Sequence, residues 1–128
     1  MIASITDRHI TSDLAIRTLQ KALDSQPAIK GELILHSDQG SQYTSKAFTE
    51  FCESMNITQN MSKAGYPYDN APMERYFNTL KNECTNLYEF ETEEALYQAV
   101  DDFSYVEYNY VRPHSYNGYA TPHEARVA

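Results

Sequence analysis

Two carboxylates and a lysine stand at spacings that could do chemistry. Asp38 follows the apolar run Leu33-Ile34-Leu35-His36-Ser37 and precedes Gln39-Gly40-Ser41. That pattern predicts an acid at the C-terminal end of a short buried strand, where the chain turns out toward a ligand. Between Asp38 and Glu74 lie 35 residues, Gln39 through Met73, and Glu74 falls in the first turns of an amphipathic helix. Lys81 follows Glu74 by seven residues. Two helical turns take about 7.2 residues, so Glu74 and Lys81 share a face. An acid on a strand end, an acid on a helix and a cation beside them can hold Mg²⁺ against a phosphodiester.

The elements that must position these groups follow from periodicity and turn chemistry. Ile2 to Thr6 reads as a short strand, and Ser12 as the cap of a helix carrying Ala15, Leu19, Ala22 and Leu23 on one side. Asp24-Ser25-Gln26-Pro27 ends that helix, and Leu33 to Ser37 is the strand before Asp38. Thr44 or Ser45 caps a helix with Phe48, Phe51, Cys52 and Met55 on its apolar face, and Asn56 to Met61 is a third strand. Ser62 through Asn70 is loop, and Asp69 or Asn70 caps the Glu74 helix. Its expected core stripe is Met73, Phe77, Leu80 and Cys84, with Glu74, Asn78 and Lys81 on the adjacent polar edge. Thr92 caps a long helix that should persist to about Tyr110, and Thr121-Pro122 opens a final short helix. Strands alternating with helices place the chain in the α/β class.

Composition bounds the rest. A chain of 128 residues with 41% apolar and 12% aromatic content is one globular domain, spanning 1–128. Eighteen acids against ten bases, net charge −8, argue against a free-standing DNA-binding module, because phosphate-backbone affinity comes from Lys and Arg. Cys52 and Cys84 fall on helical apolar stripes and read as buried free thiols rather than a disulfide or a metal pair. No run approaches the ~20 apolar residues of a membrane span. The N-terminus also lacks a basic start and apolar stretch of the secretory kind, so a cytoplasmic location is expected.

Three runs carry a resemblance to a known family: His36 through Tyr43 (HSDQGSQY), Gly65 through Phe77 (GYPYDNAPMERYF) and Tyr108 through His114 (YNYVRPH). Together they resemble the catalytic core of bacterial insertion-sequence transposases, the DDE group whose core is similar to retroviral integrase. The likeness spans nearly the whole chain and is strongest over 33–83 and 108–125. It implies a ribonuclease-H-like fold and phosphoryl transfer on DNA. In that chemistry water cuts the element's end and the freed 3′-hydroxyl then attacks target DNA.

By the same resemblance, Asp38 and Glu74 are metal ligands for Mg²⁺ or Mn²⁺, and Lys81 contacts DNA. His36 and Gln42 are further DNA-contact candidates. His36 also reads as a satisfied buried histidine, and Asp69-Asn70 as turn and cap. Arg112 and His114 are expected to clamp the C-terminal segment. The sequence departs from the family pattern at its start. The family's first catalytic Asp lies on a first strand, two strands before the helix that precedes the second Asp. Only Asp7 stands early here, and one helix separates it from Asp38, so it reads as a turn residue. The expectation is therefore a core lacking its first two strands and first acid, with weakened metal binding and a homodimeric habit. A catalytically dead, self-associating remnant is the alternative. A carboxylate-pair glycosidase is disfavoured, since the chain has no Trp to stack sugars.

Overall fold

Strands β1 (Leu33–Ser37) and β2 (Ile57–Met61) pair in parallel, in register from Leu33 opposite Ile57 to Ser37 opposite Met61. Parallel strands cannot be joined by a tight turn and need a crossover. Helices α2 (Ser41–Thr44) and α3 (Lys46–Ser54) supply it. The computed structural model describes residues 2–26, 32–62 and 71–127. These divide into a sheet unit, Asp7–Arg75, and a helical unit made of Met1–Thr6 and Tyr76–Ala128.

In the sheet unit, α1 (Ser12–Asp24) and α3 cover one side of the strands. Phe48, Cys52 and Ile57 are buried, with Ala15, Ile16, Leu19, Leu23, Leu33, Leu35 and Tyr43 packed around them. The Tyr43 ring meets Phe48 edge-on at 5.4 Å, a favoured aromatic geometry. Ser45 caps α3 as expected, its Oγ accepting from the Phe48 amide at 3.2 Å. The cap of α1 is Thr11 rather than Ser12. Thr11 is still extended and accepts from the Leu14 amide at 3.1 Å, whereas Ser12 is already helical.

Two strand expectations need correction. β1 is not buried on both faces: Leu33 and Leu35 face the core, while Ile34 is 63% exposed and His36 is exposed. The period of two sends alternate residues to opposite faces, and among the described residues of this unit α1 and α3 cover one of them. Ile2–Thr6 forms no strand. A strand exists only by pairing, and the backbone of Ser4 is satisfied by a side chain instead. Its amide donates to the Tyr105 hydroxyl at 2.6 Å, and that hydroxyl donates back to the Ser4 carbonyl at 3.1 Å.

The helical unit continues α4 (Ala71–Leu80) into one wide turn of π type, Lys81–Thr85. Helix α5 (Glu93–Asp102), capped by Thr92 as expected, likewise continues as wide turns over Phe103–Val111. A 3₁₀ turn, Ser115–Asn117, and α6 (Pro122–Val127) complete it. A reciprocal cap opens α6: Glu124 Oε2 accepts from the Thr121 amide at 2.8 Å, and Thr121 Oγ1 accepts from the Glu124 amide at 3.2 Å. Tyr76, Cys84, Val100 and Phe103 are buried together with Ser104, Asn109 and Thr121. Only Cys84 of the expected α4 stripe is fully buried, whereas Met73 and Phe77 are 44% and 48% exposed. Tyr76 takes their place because its hydroxyl finds the buried Ser104 hydroxyl, a partner that apolar periodicity does not register. Both cysteines are buried free thiols, as expected, and burial pushes each above the ordinary thiol range.

Candidate active site

Asp38 stands one residue past the end of β1 and is exposed. Its Oδ1 accepts from the Gly40 amide at 2.8 Å, two residues on, which fixes the carboxylate against the turn. Gly40 is closely approached by two flexible side chains, while its backbone angles make no demand for glycine. A Cβ there would lie 2.8 Å from the Gln42 side chain and 2.9 Å from Asp38 Oδ1. The structure thus brings Asp38, Gly40 and Gln42 together at the strand end. Tyr43 belongs to the same turn, and its hydroxyl is held above the usual phenol range by burial first and by the Asp38 charge second. Helix α2, absent from the sequence expectation, begins at Ser41 and fixes this turn through Tyr43 and Thr44 amides bonding the Gly40 carbonyl at 2.9 and 3.2 Å.

His36 precedes Asp38 by two residues on the exposed face of the sheet. Its Nε2 lies 2.9 Å from the Oγ of Ser62, whose amide in turn donates to the Ser37 carbonyl at 2.8 Å. Glu74 lies in the first turn of α4 and is exposed, and Lys81, also exposed, starts the wide turn that follows. The Asp69-Asn70 cap lies outside the described residues. Glu83, two residues after Lys81, is bound by Arg112: Nε reaches Oε1 and Oε2 at 3.0 Å each, and Nη2 reaches Oε2 at 2.9 Å. This pair is the site feature that spacing alone missed. A Lys-x-Glu run and a distant Arg carry no mutual signal in one sequence.

Carboxylate oxygens are the hard donors that Mg²⁺ takes. Asp38 and Glu74 have the right chemistry, but among the described residues no three His, Cys, Asp or Glu side chains gather closely enough to hold a metal. Asp7 does not complete a set. Its Oδ2 binds Arg17 Nη2 at 2.8 Å and its Oδ1 accepts from the Arg8 amide at 2.7 Å. The Arg17 hydrogen bond, with help from that amide, holds the Asp7 carboxyl below the ordinary range. No helix among the described residues is long and apolar enough to cross a membrane.

Comparison with known proteins agrees with this architecture. Residues 1–67 match one integrase core domain family and residues 51–122 a second. The transposase for insertion sequence element IS904 of Lactococcus lactis is 44% identical over 92 residues, covering 70% of this chain and 36% of the relative. An insertion element IS600 31 kDa protein of Shigella sonnei is 37% identical over 114 residues, covering 89% of this chain and 42% of the relative. The chain thus spans about two fifths of the length of these relatives. The crystal structure of the catalytic core domain of BIV integrase superposes with a TM-score of 0.57 at 20% identity, over 91% of this chain and 71% of that one. The fold is therefore the ribonuclease-H-like fold of integrase cores. With both halves matching integrase cores, and with relatives that are insertion-element proteins, this chain belongs to the integrase core domain family.

Proposed function

We propose that this chain is part of a catalytic core that transfers phosphoryl groups on DNA, cleaving element ends and joining them to a target. The observation that carries the reading is Asp38. It is an exposed carboxylate pinned by the Gly40 amide at the end of a parallel strand, inside a segment matching the integrase core. Ligands in open α/β sheets gather at the carboxyl ends of strands. In this reading Asp38 and Glu74 hold Mg²⁺ or Mn²⁺, which supplies Lewis-acid stabilisation of charge on the phosphate oxygens. Lys81 binds a backbone phosphate, and His36 and Gln42 line the DNA path beside Asp38. Both units match integrase cores, which supports a single partial core domain over 1–128.

The same reading makes this chain alone a poor catalyst. Asp7 is engaged by Arg17, so two acids remain where the family uses three. A net charge of −8 leaves little to grip a DNA backbone, so affinity is weak and fades with salt. Losing one metal-site carboxylate costs several kcal/mol of transition-state stabilisation, and each ~1.36 kcal/mol is tenfold in rate. The test is a Mg²⁺- or Mn²⁺-dependent nicking and strand-transfer assay on DNA carrying the element's ends. Failure by this chain is expected, with activity in a version extended upstream by two strands and abolished there by Asp38→Asn. Robust activity of this chain itself would refute the missing-acid reading. Gly40→Ala, whose Cβ would press on Asp38 Oδ1, should weaken Mn²⁺ binding without unfolding the protein.

Self-association is the companion proposal. One edge of β1 faces no strand among the described residues, and on the sheet face beside it Ile34 is 63% exposed. Such an edge templates pairing with a second copy. Light scattering should show dimers at ~100 µM, where even a micromolar interface is populated; a clean monomer would remove the proposal.

A further inference from the structure

The run Tyr108 through His114 has no place in the chemistry above, yet its side chains grip the helix that carries that chemistry. The Tyr108 ring stands edge-on to Tyr76 at 5.0 Å with an interplanar angle of 89°. Arg112 binds Glu83 through two of its nitrogens. Tyr76 and Glu83 are seven residues apart, as are Glu74 and Lys81. Each gripped residue lies two positions beyond a chemical one. At 3.6 residues per turn, two positions are about 200° of rotation, so Tyr76 lies roughly opposite Glu74; in the wide turn each residue rotates less, and Glu83 still lies well round the helix from Lys81. The helix is held from behind.

The backbone shows why holding is needed. At Lys81 the helix widens, and the Lys81 carbonyl accepts from the Asn86 amide, five residues on, at 2.8 Å. Such turns are rare, occur mostly as single turns and cluster at functional sites. Arg112 itself ends the second wide stretch, its amide donating to the Glu107 carbonyl at 2.7 Å. A guanidinium fork fixes direction as well as distance, which an ammonium does not.

We propose that Arg112 is a positioning residue that, through Glu83, sets the rotation of the wide turn presenting Lys81. The proposal rests on the reading of Glu74 and Lys81 as the chemical face. Arg112 touches neither DNA nor metal in this role.

The test reads native-state amide exchange at Asn86 in this chain, well below its melting temperature, for Arg112→Gln, Glu83→Gln and the double variant. Each single change should speed Asn86 exchange at least tenfold, and the double variant should be no faster than either. Amides of β1 and β2 should not change. Arg112→Lys, which keeps the charge and removes the fork, should loosen Asn86 as well and guards against loss of fold. Unchanged exchange at Asn86, additive effects, or uniform acceleration across the helical unit would overturn the proposal. Uniform acceleration would make the pair merely stabilising. In a catalytically competent longer chain, Arg112→Gln should lower kcat with KM unchanged, and a change in KM alone would also overturn it. The site reading fails separately: Glu74→Gln retaining activity there would end it, while Asn86 exchange would still judge Arg112.

Discussion

The sheet unit and the helical unit solve the same burial problem with different materials. Around Phe48, Cys52 and Ile57 the sheet unit packs aliphatic side chains against a regular parallel pair of strands. The helical unit buries Tyr76, Ser104, Asn109 and Thr121 among its apolar residues, and its helices widen at Lys81–Thr85 and Phe103–Val111. Apolar packing is non-directional and tolerates no void, whereas a hydroxyl pair and an ion pair are directional. The strand end thus offers Asp38 a rigid ledge. The helix offers Lys81 a turn whose rotation depends on polar partners.

The largest expected effect tests the aliphatic side of this contrast. Phe48, 1% exposed, should cost about 3–5 kcal/mol on truncation in Phe48→Ala. Denaturant melts should show the loss, with amide exchange accelerating first in β1 and β2. The matching probe of the helical unit is Tyr76→Phe, which keeps the ring but strands the buried Ser104 hydroxyl. It should cost about 1–3 kcal/mol, and Tyr76→Phe with Ser104→Ala should recover part of it. Equal costs for the double and single variants would mean that packing, not the hydroxyl pair, holds the helical unit.

Caps allow a matched comparison, because each unit has a helix capped by threonine at 3.1 Å, Thr11 on α1 and Thr92 on α5. Thr11→Ala and Thr92→Ala should each cost about 1 kcal/mol. If the units open independently, each change should speed exchange in its own unit only. Exchange spreading across both after either change would show that they unfold together.

The smallest effect is electrostatic. The Asp7 carboxyl lies below its ordinary value of 3.8 when folded, chiefly through Arg17. A depressed carboxyl favours the folded state at pH above that ordinary value, and the contribution is lost as pH falls through the lowered one. The pair is exposed, so solvent screens it. Asp7→Asn should therefore be slightly less stable than the parent at pH 7, and the gap should close as pH falls below the ordinary carboxyl value and through the lowered one in paired denaturant titrations. A gap that widens with acid would exclude this account.

Much of this could be read from residue order alone. β1 was legible to the residue because five positions, Leu33 to Ser37, apolar and then weakly polar, end at an acid and a Gly turn. The caps at Ser45 and Thr92 and the Pro122 start were legible because hydroxyls and proline act within three residues of themselves. The same locality made Asp38 a candidate, helical spacing added Glu74 and Lys81, and the family resemblance gave the three their expected roles. Tertiary structure decided what depends on distant partners. Ile2–Thr6 lost its strand to a tyrosine 101 positions away from Ser4. Tyr76 displaced Met73 and Phe77 from the core because Ser104 was there to meet its hydroxyl. Arg112 found Glu83 across 29 residues. Periodicity reports which face of an element is apolar, but only the packed chain brings together the polar groups that make burial of a tyrosine, or the rotation of a lysine, the lower-energy choice.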